Sequence, residues 1–440
     1  MTLTAPGREL QSARYSSPTA HEATHRRAMT SKLVFSHPTG NANVRAAAAG
    51  LAQAGQLAAF HTAIATFPGQ WLDRLGAAGP LAELRRRRFE PELASLTKTW
   101  PWREAGRLLA GRTGWTALVR PETGPFSVDA VYHSLDRRVA GSLARAAQQG
   151  ADGVYAYEDG AAGAFRAAKG LGLACCYDLP IGYWRAARRL LAPEREKWPD
   201  WAPTLIGFGD SEAKLARKDE ELRLADRIFV ASRFTADTLL DYPGQLAPVE
   251  VIPYGFPAVG EARRYDAAGG RPLKLLFVGS LSQRKGVANL FAAVAALAPH
   301  VELTVVGHKA GGPCPALDAA LARHRWIPSL PHAEVLRLMR AHDVLAFPSL
   351  FEGFGLVITE AMSQGTPVIT TDRTAGPDLI EHGHSGWLVE AGSTEALQAA
   401  LADLLHRPDA VAQAGRAAQE AARRRPWSAY GRELAAALAR

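Results

Sequence analysis

Short apolar runs alternate with amphipathic or Ala-rich stretches along most of the chain. The runs predicted as strands are 32–36, 153–160, 173–180, 226–231, 248–252, 273–279, 301–306, 344–349 and 367–370. Helical patterns follow several of these runs, at 43–55, between about 160 and 169, at 286–298 and from residue 356. This alternation predicts an α/β fold with doubly wound, parallel sheets.

A Pro- and Gly-containing stretch at 253–271 divides this pattern in two. The 440 residues also have the length of two domains. We therefore predict a first domain over 31–255 and a second over 272–425. Residues 59–130, which are rich in Arg, Trp and Pro, are interpreted as helices and connectors. Residues 1–30 are predicted to be a disordered N-terminal tail, and the alternative that 1–28 precede the true start stays open.

The composition is that of a large globular protein. Hydrophobic residues make up 47% of the chain, which allows a sizeable core. No apolar run approaches the ~18 residues that a membrane span requires. The three cysteines form no metal-ligand or disulfide pattern, and adjacent Cys175 and Cys176 are expected to be buried thiols in a strand. A reduced, cytoplasmic setting is the simplest expectation.

The formal net charge of +8 favours acidic partners. Most of the Arg residues are spread along predicted helices, but one run, 85–88, is continuous and is followed by Phe89, Trp100 and Trp102. An exposed amphipathic helix explains this run best. Contact with the inner face of a membrane or with nucleic acid is the open alternative.

The segment 351–369 carries the strongest chemical signal. Glu352 precedes a Gly-Phe-Gly turn, and Glu360 lies on the helix that begins after the turn. The free amides and positive dipole end of such a helix suit a phosphate, and the two carboxylates can accept hydrogen bonds from sugar hydroxyls on either side of it. A nucleotide sugar has this arrangement of groups. In the alternative interpretation, Glu352 only complements the helix dipole and Glu360 is a solvated surface residue.

This segment resembles the Glu-x7-Glu signature of retaining glycosyltransferases with the GT-B fold, specifically glycosyltransferase family 4 (group 1). Further segments fall in the order found in that family, namely Val-Ala-Ser-Arg-Phe at 230–234, Val-Ile-Pro-Tyr-Gly at 251–255, the Gly-containing loop 277–286 and Ala-His-Asp at 341–343. The resemblance covers about residues 225–440 well and the first half only loosely.

The resemblance implies two Rossmann-like domains that face each other across a cleft. The first would bind the acceptor, the second would bind a nucleoside-diphosphate sugar, and 426–440 would form a helix that crosses back to the first domain. The implied reaction is retaining transfer of a hexose-type sugar to the hydroxyl of a sugar or lipid-linked acceptor, in polysaccharide or glycoconjugate synthesis, with no cofactor and no metal. A sugar-nucleotide epimerase and a non-enzymatic sugar- or nucleic-acid-binding protein are the alternatives, although no nucleic-acid partner is expected.

The implied site residues come from three parts of the chain. By the resemblance, Lys285 would stabilise the departing diphosphate and Glu352 would bind hydroxyls of the transferred sugar. Asp178 would either hold the acceptor hydroxyl or the reacting sugar, or only cap the next turn, and both alternatives stay open. Two positions depart from the family pattern, because Ser280 replaces an Arg and Asp178 stands near the place of a His. The predicted donor-binding residues are Gly40, Asn41, Arg284, Lys285, Glu352, Gly353, Phe354, Gly355, Leu356, Val357 and Glu360.

Overall fold

Thirteen strands form two all-parallel sheets in the computed structural model, which describes residues 31–70, 87–265 and 270–440. The first sheet contains β1 (Leu33–Ser36), β2 (Leu57–Thr62), β3 (Thr97–Thr99), β4 (Gly153–Tyr157), β5 (Ala174–Leu179), β6 (Arg227–Val230) and β7 (Val249–Val251). The second contains β8 (Leu273–Val278), β9 (Val301–Val306), β10 (Arg325–Ile327), β11 (Val344–Phe347), β12 (Val368–Thr371) and β13 (Gly386–Val389).

Both sheets have a doubly wound strand order. The first runs β3-β2-β1-β4-β5-β6-β7 and the second runs β10-β9-β8-β11-β12-β13. The order therefore reverses between β1 and β4 in the first sheet and between β8 and β11 in the second. Ligands of such sheets bind beyond the carboxyl ends of the strands at this reversal.

Sixteen α-helices are present in the described part of the chain, and most of them connect successive strands. They are α1 (Ala42–Gln53), α2 (Trp102–Thr113), α3 (Val128–Ala140), α4 (Leu143–Gln148), α5 (Ala162–Gly170), α6 (Trp184–Lys197), α7 (Glu212–Leu224), α8 (Arg233–Thr238), α9 (Val287–Ala296), α10 (Pro315–Leu321), α11 (His332–Ala341), α12 (Leu356–Ser363), α13 (Gly376–Leu379), α14 (Thr394–His406), α15 (Pro408–Arg424) and α16 (Trp427–Leu438).

The local sequence explains why these elements form. Strands β1, β4, β11 and β12 are buried along their whole length, so they are continuous apolar or small-residue runs rather than alternating ones. Several helices begin at a serine whose hydroxyl accepts a hydrogen bond from a first-turn amide, as Ser127 does for α3 and Ser211 for α7. Such caps satisfy donors that the helix itself leaves open.

The segment 184–204 lies in the predicted first domain, but its C-terminal part packs on the second. Trp201 stacks on Phe291 of α9 with ring centroids 5.8 Å apart, and Lys197 Nζ donates to the carbonyl of Gly392 at 2.6 Å. Cys314 Sγ lies 3.2 Å from the Asp200 carbonyl. The sequence did not indicate that this segment contacts the second domain, because the pattern of an amphipathic helix does not specify which domain covers its apolar face.

Helix α16 returns from the second domain and packs against α1. The backbones approach closely at Gly431, where an added Cβ would lie 2.4 Å from the Ala46 carbonyl oxygen, and at Gly50, which faces Gly431. Tyr430 is buried in the core of the first domain. The predicted range 426–440 thus contains a helix that contacts both halves of the chain.

Two expectations for the first half were wrong. Residues 59–130 were interpreted as helices and connectors, but they include part of β2 and all of β3. The run that contains β2 is Ala-rich, so its sequence fits a helix as well as a strand. Arg87 does not lie on an exposed amphipathic helix, since it is buried in an ion pair with Glu104. The tail 1–30 and Arg85 and Arg86 lie outside the described residues.

Two other expectations can be checked against the described residues. Cys175 and Cys176 are buried free thiols, as predicted. None of the helices in the described ranges combines the length and the apolar character needed to cross a bilayer.

Candidate functional site

A cleft of about 500 Å³ lies where the carboxyl ends of the two sheets face each other. Because both strand-order reversals open into it, it is the place where a doubly wound fold binds ligands. The first domain and the linker contribute His37, Asn41, Asn43, Tyr132, Tyr157, Pro180 and Tyr254. The second domain contributes Val278, Gly279, Ser280, Arg284, Lys285, Phe347, Glu352, Phe354, Gly355, Leu356 and Val357.

Two cations and a carboxylate meet on the second-domain wall. Lys285 forms an ion pair with Glu352. Arg284 Nη1 donates to the Phe351 carbonyl at 2.8 Å and lies 3.3 Å from Glu352 Oε2. Burial and the neighbouring guanidinium lower the pKa of Lys285, and the ion pair with Glu352 acts in the opposite direction. The sequence predicted all three residues for this site, and the fold brings them together.

The loop that carries these cations is fixed by a glycine. After β8 the chain makes a short 3-10 turn at Gln283–Lys285, and Gly286 follows with a φ of 69°. An added Cβ at Gly286 would lie 2.1 Å from the Pro348 carbonyl oxygen. Only glycine fits this left-handed conformation and close approach, and it places Lys285 against the turn after β11.

The N-terminus of α12 points into the same cleft. Gly355 has a φ of 87° and begins the helix, and Leu356 and Val357 form its first turn on the cleft wall. The first amides of a helix have no partner within the helix, and they carry the positive end of its dipole. Together with Arg284 and Lys285 they make this wall suited to an anion.

Glu360 lies one turn further along α12 and is partnered outside the cleft lining. Its Oε1 is 2.9 Å from His332 Nε2 at the start of α11. Glu360 is not among the described residues that line the cleft, so its predicted contact with the donor stays a prediction. The partner His332 was missed, because nothing in the local sequence links it to residue 360.

Two of the predicted glycines have structural contacts instead of lining the cleft. Gly353 joins the two domains, because its carbonyl accepts from Ser232 Oγ at 2.5 Å and from Thr235 Oγ1 at 2.8 Å. Gly40 packs under Phe89, and its carbonyl accepts from the Arg45 guanidinium. Neighbouring Asn41, which begins α1, does line the cleft.

Asp178 lies in a buried cluster of tyrosines. Its Oδ2 accepts from the Tyr155 hydroxyl at 2.6 Å, and Asp178 is 3% exposed. Burial raises the pKa of Asp178 to about 7, while the hydrogen bond from the Tyr155 hydroxyl opposes this shift. Asp178 is not among the described lining residues, so the structure does not bring it to the reacting groups as the sequence predicted.

The sequence did not indicate that three aromatic residues of the first-domain wall, His37, Tyr132 and Tyr157, line the cleft. The His37 ring makes edge-on contacts with Tyr157 at 4.6 Å and Tyr132 at 5.8 Å between centroids. Burial lowers the pKa of His37 to about 4, so the imidazole is neutral at pH 7. Tyr157 is the last residue of β4 and His37 directly follows β1, so their positions at the ends of adjacent strands could have indicated them. Tyr132 lies on α3, and its position gives no such indication.

Glu158, the acid that directly follows β4, is not among the described residues that line the cleft. Its Oε1 lies 3.1 Å from Lys218 Nζ on α7, and Glu158 is buried. The side chain turns to α7 because a buried carboxylate requires a cation or hydrogen-bond donors.

Within the described ranges, no group of three or more His, Cys, Asp or Glu side chains is placed to hold a metal ion.

Comparison with known proteins relates part of this chain to a glycosyltransferase family. Residues 261–421 match the model of the family described as glycosyl transferases group 1. The chain is 32% identical over 247 residues to a D-inositol 3-phosphate glycosyltransferase of Segniliparus rotundus, a match that covers 51% of this chain and 55% of that protein. The chain spans about half the length of the curated relatives it matches.

Solved structures match nearly the whole chain. The sucrose-phosphate synthase of Thermosynechococcus elongatus is 19% identical with a TM-score of 0.61, over 92% of this chain and 98% of that one. The Anabaena Alr3699/HepE protein in complex with UDP is 18% identical with a TM-score of 0.59, over 92% and 99%. These likenesses and the two doubly wound sheets confirm the predicted GT-B fold.

Proposed function

We propose that this chain, which belongs to the group 1 glycosyltransferases by its matched second half, transfers a hexose-type sugar from a nucleoside diphosphate to an acceptor hydroxyl. The observation that carries the proposal is the meeting of Arg284, Lys285, Glu352 and the start of α12 on one wall of the interdomain cleft. Cations and free amides suit a diphosphate, and a carboxylate beside them suits sugar hydroxyls.

The proposed reaction proceeds with retention. The bond between the anomeric carbon and the diphosphate oxygen breaks, and the acceptor oxygen bonds to the same face of the anomeric carbon. The acceptor proton passes to an oxygen of the departing diphosphate. Lys285 and Arg284 stabilise the negative charge that develops on this leaving group. Glu352 exchanges part of its contact with Lys285 for hydrogen bonds with the transferred sugar.

Glu360 is proposed to bind the ribose hydroxyls. In the structure its carboxylate contacts His332, and a donor would replace this contact or share the carboxylate with it. Glu360→Gln keeps the shape but weakens hydrogen bonds to hydroxyls, since those to charged groups are the stronger ones. We expect a higher donor KM and a nearly unchanged kcat. Unchanged donor KM in this variant would contradict the ribose assignment.

Donor binding is the direct test of the proposed function. Calorimetric titration with UDP, GDP and ADP is expected to identify one nucleotide that binds, and its sugar conjugates then serve as donors. Lys285→Met should lower kcat by a factor on the order of 10² to 10³, the range for removing one preorganised charge contact. Lys309→Met is the matched control, because Lys309 pairs with Asp318 and does not line the cleft.

Three outcomes would count against the proposal. One is that none of the nucleotides binds, and another is that Lys285→Met leaves turnover unchanged. The third is release of a converted nucleotide sugar without any acceptor, which identifies the rival epimerase.

We also propose that α2 and the turn after it touch a membrane surface, in place of the Arg run at 85–88. Trp102, Leu109 and Trp115 are 69%, 57% and 56% exposed. The same helix carries Arg103, Arg107 and Arg112 against one acid, Glu104, which is buried. Aromatic and aliphatic side chains beside Arg favour anionic lipid.

Vesicle sedimentation tests this contact. The chain should sediment with vesicles that contain phosphatidylglycerol and not with pure phosphatidylcholine, and replacement of both exposed tryptophans, Trp102→Ser with Trp115→Ser, should abolish sedimentation. Trp326→Phe, a change in the second domain, is the control. Equal sedimentation of the double variant and the parent chain would refute the contact.

A further inference from the structure

The first domain has a second place where a phosphate is expected in a doubly wound fold, and protein carboxylates occupy it. This place is the N-terminus of α5, which follows β4 at the strand-order reversal. Glu221 of α7 accepts from the backbone amides of Asp159, Ala161 and Ala162 at 2.8, 3.0 and 3.1 Å. The helix end is therefore filled from within the chain.

A second carboxylate accepts hydrogen bonds from the remaining amides of this helix end. Asp136 of α3 accepts from the amides of Gly163 and Ala164, each at 2.7 Å. Arg217 lies between the two acids, 2.6 Å from Asp136 and 3.4 Å from Glu221. All the amides that would otherwise bind an incoming anion at this helix end thus donate to carboxylates.

Further acids surround the same end of β4. Glu158 and Asp159 share Lys218, at 3.1 and 3.5 Å. Burial raises the pKa of Glu221 to about 8, even though three amides and Arg217 favour its charged form. The burial that disfavours the charged form of Glu221 also disfavours a phosphate dianion, because both lose hydration at a buried site.

These acids lie next to the cleft. Tyr132 lines it and approaches Gly160, whose added Cβ would be 3.3 Å from the Tyr132 ring. Burial together with the charges of Asp159 and Glu158 raises the pKa of Tyr132. Both cations among the described lining residues, Arg284 and Lys285, come from the opposite wall.

We propose that the acceptor is an uncharged carbohydrate, whose ring lies against Tyr132, Tyr157 and His37, and that phosphorylated sugars are excluded. This inference rests on the proposed transferase function and names the substrate class of its acceptor side. Aromatic rings present an apolar face with a polar edge, which suits the mixed surface of a sugar. The neutral His37 adds no positive charge that would attract a phosphate.

The test compares matched acceptors with the full chain and its donor. Glucose, mannose and myo-inositol, together with methyl glucoside and maltose, are assayed beside glucose 6-phosphate, mannose 6-phosphate and inositol 3-phosphate. We expect transfer to at least one neutral compound, with a kcat/KM at least tenfold higher than for its phosphate. If a phosphate is used as well as or better than its neutral parent, the acceptor proposal is overturned and the transferase function stands. If no compound of either class accepts sugar, the acceptor proposal fails, and nucleotide binding together with Lys285→Met decides the transferase function separately.

A charge variant separates the electrostatic cause from simple shape. Combining Glu158→Gln with Asp159→Asn leaves Lys218 without its two acids, and it should reduce the preference for the neutral acceptor at least fivefold. Glu212→Gln removes one charge from the exposed face of α7 and should leave the preference unchanged. An unchanged preference in the double variant would refute the role of these acids.

Discussion

At the scale of single residues, burial changes what a side chain can do. Asp178 shows this best, because its neighbours are hydroxyls rather than cations. Tyr155, Tyr157, Tyr254 and Tyr430 all contribute to its electrostatic surroundings or feel its charge. Tyr254 belongs to the linker and Tyr430 to α16, so a protonation event at Asp178 is felt where the two domains join.

The raised pKa of Asp178 makes a prediction for stability. Its ordinary value is 3.8 and burial raises it to about 7. Below about pH 4 the carboxyl is protonated in both states. Between about pH 4 and 7 the unfolded chain releases the proton while the folded chain keeps it, so the free energy of unfolding falls as the pH rises through this window.

Asp178→Asn removes this titration. Relative to the parent chain, the variant should gain about 3 kcal/mol in its free energy of unfolding between pH 5 and pH 8, since each pKa unit corresponds to about 1.4 kcal/mol. Urea unfolding at the two pH values measures the difference. Asp372→Asn, at an exposed position, is the control. The same pH dependence in Asp178→Asn and in the parent chain would show that Asp178 ionises normally.

Local sequence explains much of the site at this scale. Glu352, the residues from 354 to 357 and the pair Arg284–Lys285 could be predicted to line the cleft, because short motifs fix both the turn and the side chains that it presents. Glu158 and Arg87 could not, because their partners Lys218 and Glu104 come from other elements. A sequence pattern shows that a charge exists, but its partner is set by tertiary packing.

At the scale of elements, most strands of the described residues could be predicted from the sequence, but β2, β3, β10 and β13 could not. Strand β2 has the sequence Leu-Ala-Ala-Phe-His-Thr, which is buried along almost its whole length and has no strand periodicity. Such short apolar runs are ambiguous between helix and strand. The pairing with β1 makes this run a strand, and the sequence of the run itself does not contain that information.

The contact between α1 and α16 allows a prediction with an internal control. Gly431 and Gly111 are both helical glycines, so replacement by Ala raises the helix propensity by about 1 kcal/mol in each. Added at Gly431, the methyl group would lie 2.4 Å from the Ala46 carbonyl oxygen, whereas at Gly111 it meets nothing within 4 Å.

We therefore expect opposite signs in thermal unfolding. Gly111→Ala should raise the Tm slightly, and Gly431→Ala should lower it, because overpacking costs about 1–3 kcal/mol. If both variants were stabilised, α16 would not pack on α1 as closely as the structure shows.

At the scale of the whole molecule, the domains are joined by more than the linker and α16. Thr235 and Ser232 donate to the Gly353 carbonyl, and Arg233 forms an ion pair with Asp378. The C-terminal part of the segment 184–204 adds a further connection through its packing on the second domain. The sequence predicted two domains and a cleft, but these contacts join residues that are far apart in the sequence and have no local signature.

Because Gly353 connects the two domains, we predict that a substitution at this position, outside the cleft lining, changes turnover. An added Cβ at Gly353 would lie 2.0 Å from the Pro180 carbonyl oxygen, so Gly353→Ala must move the turn that carries Glu352 away from the first domain. A displacement of about 1 Å can cost about 10² in rate, because the reacting groups lose their alignment. We expect kcat/KM to fall by about this factor with little change in far-ultraviolet circular dichroism. Gly207→Ala, where an added Cβ meets nothing within 4 Å, should retain full activity. Because the nucleotide is proposed to bind mainly to the second domain, its Kd should change less than kcat/KM in Gly353→Ala. Equal losses in both would show that the substitution damages the donor site itself and would contradict domain alignment as the cause.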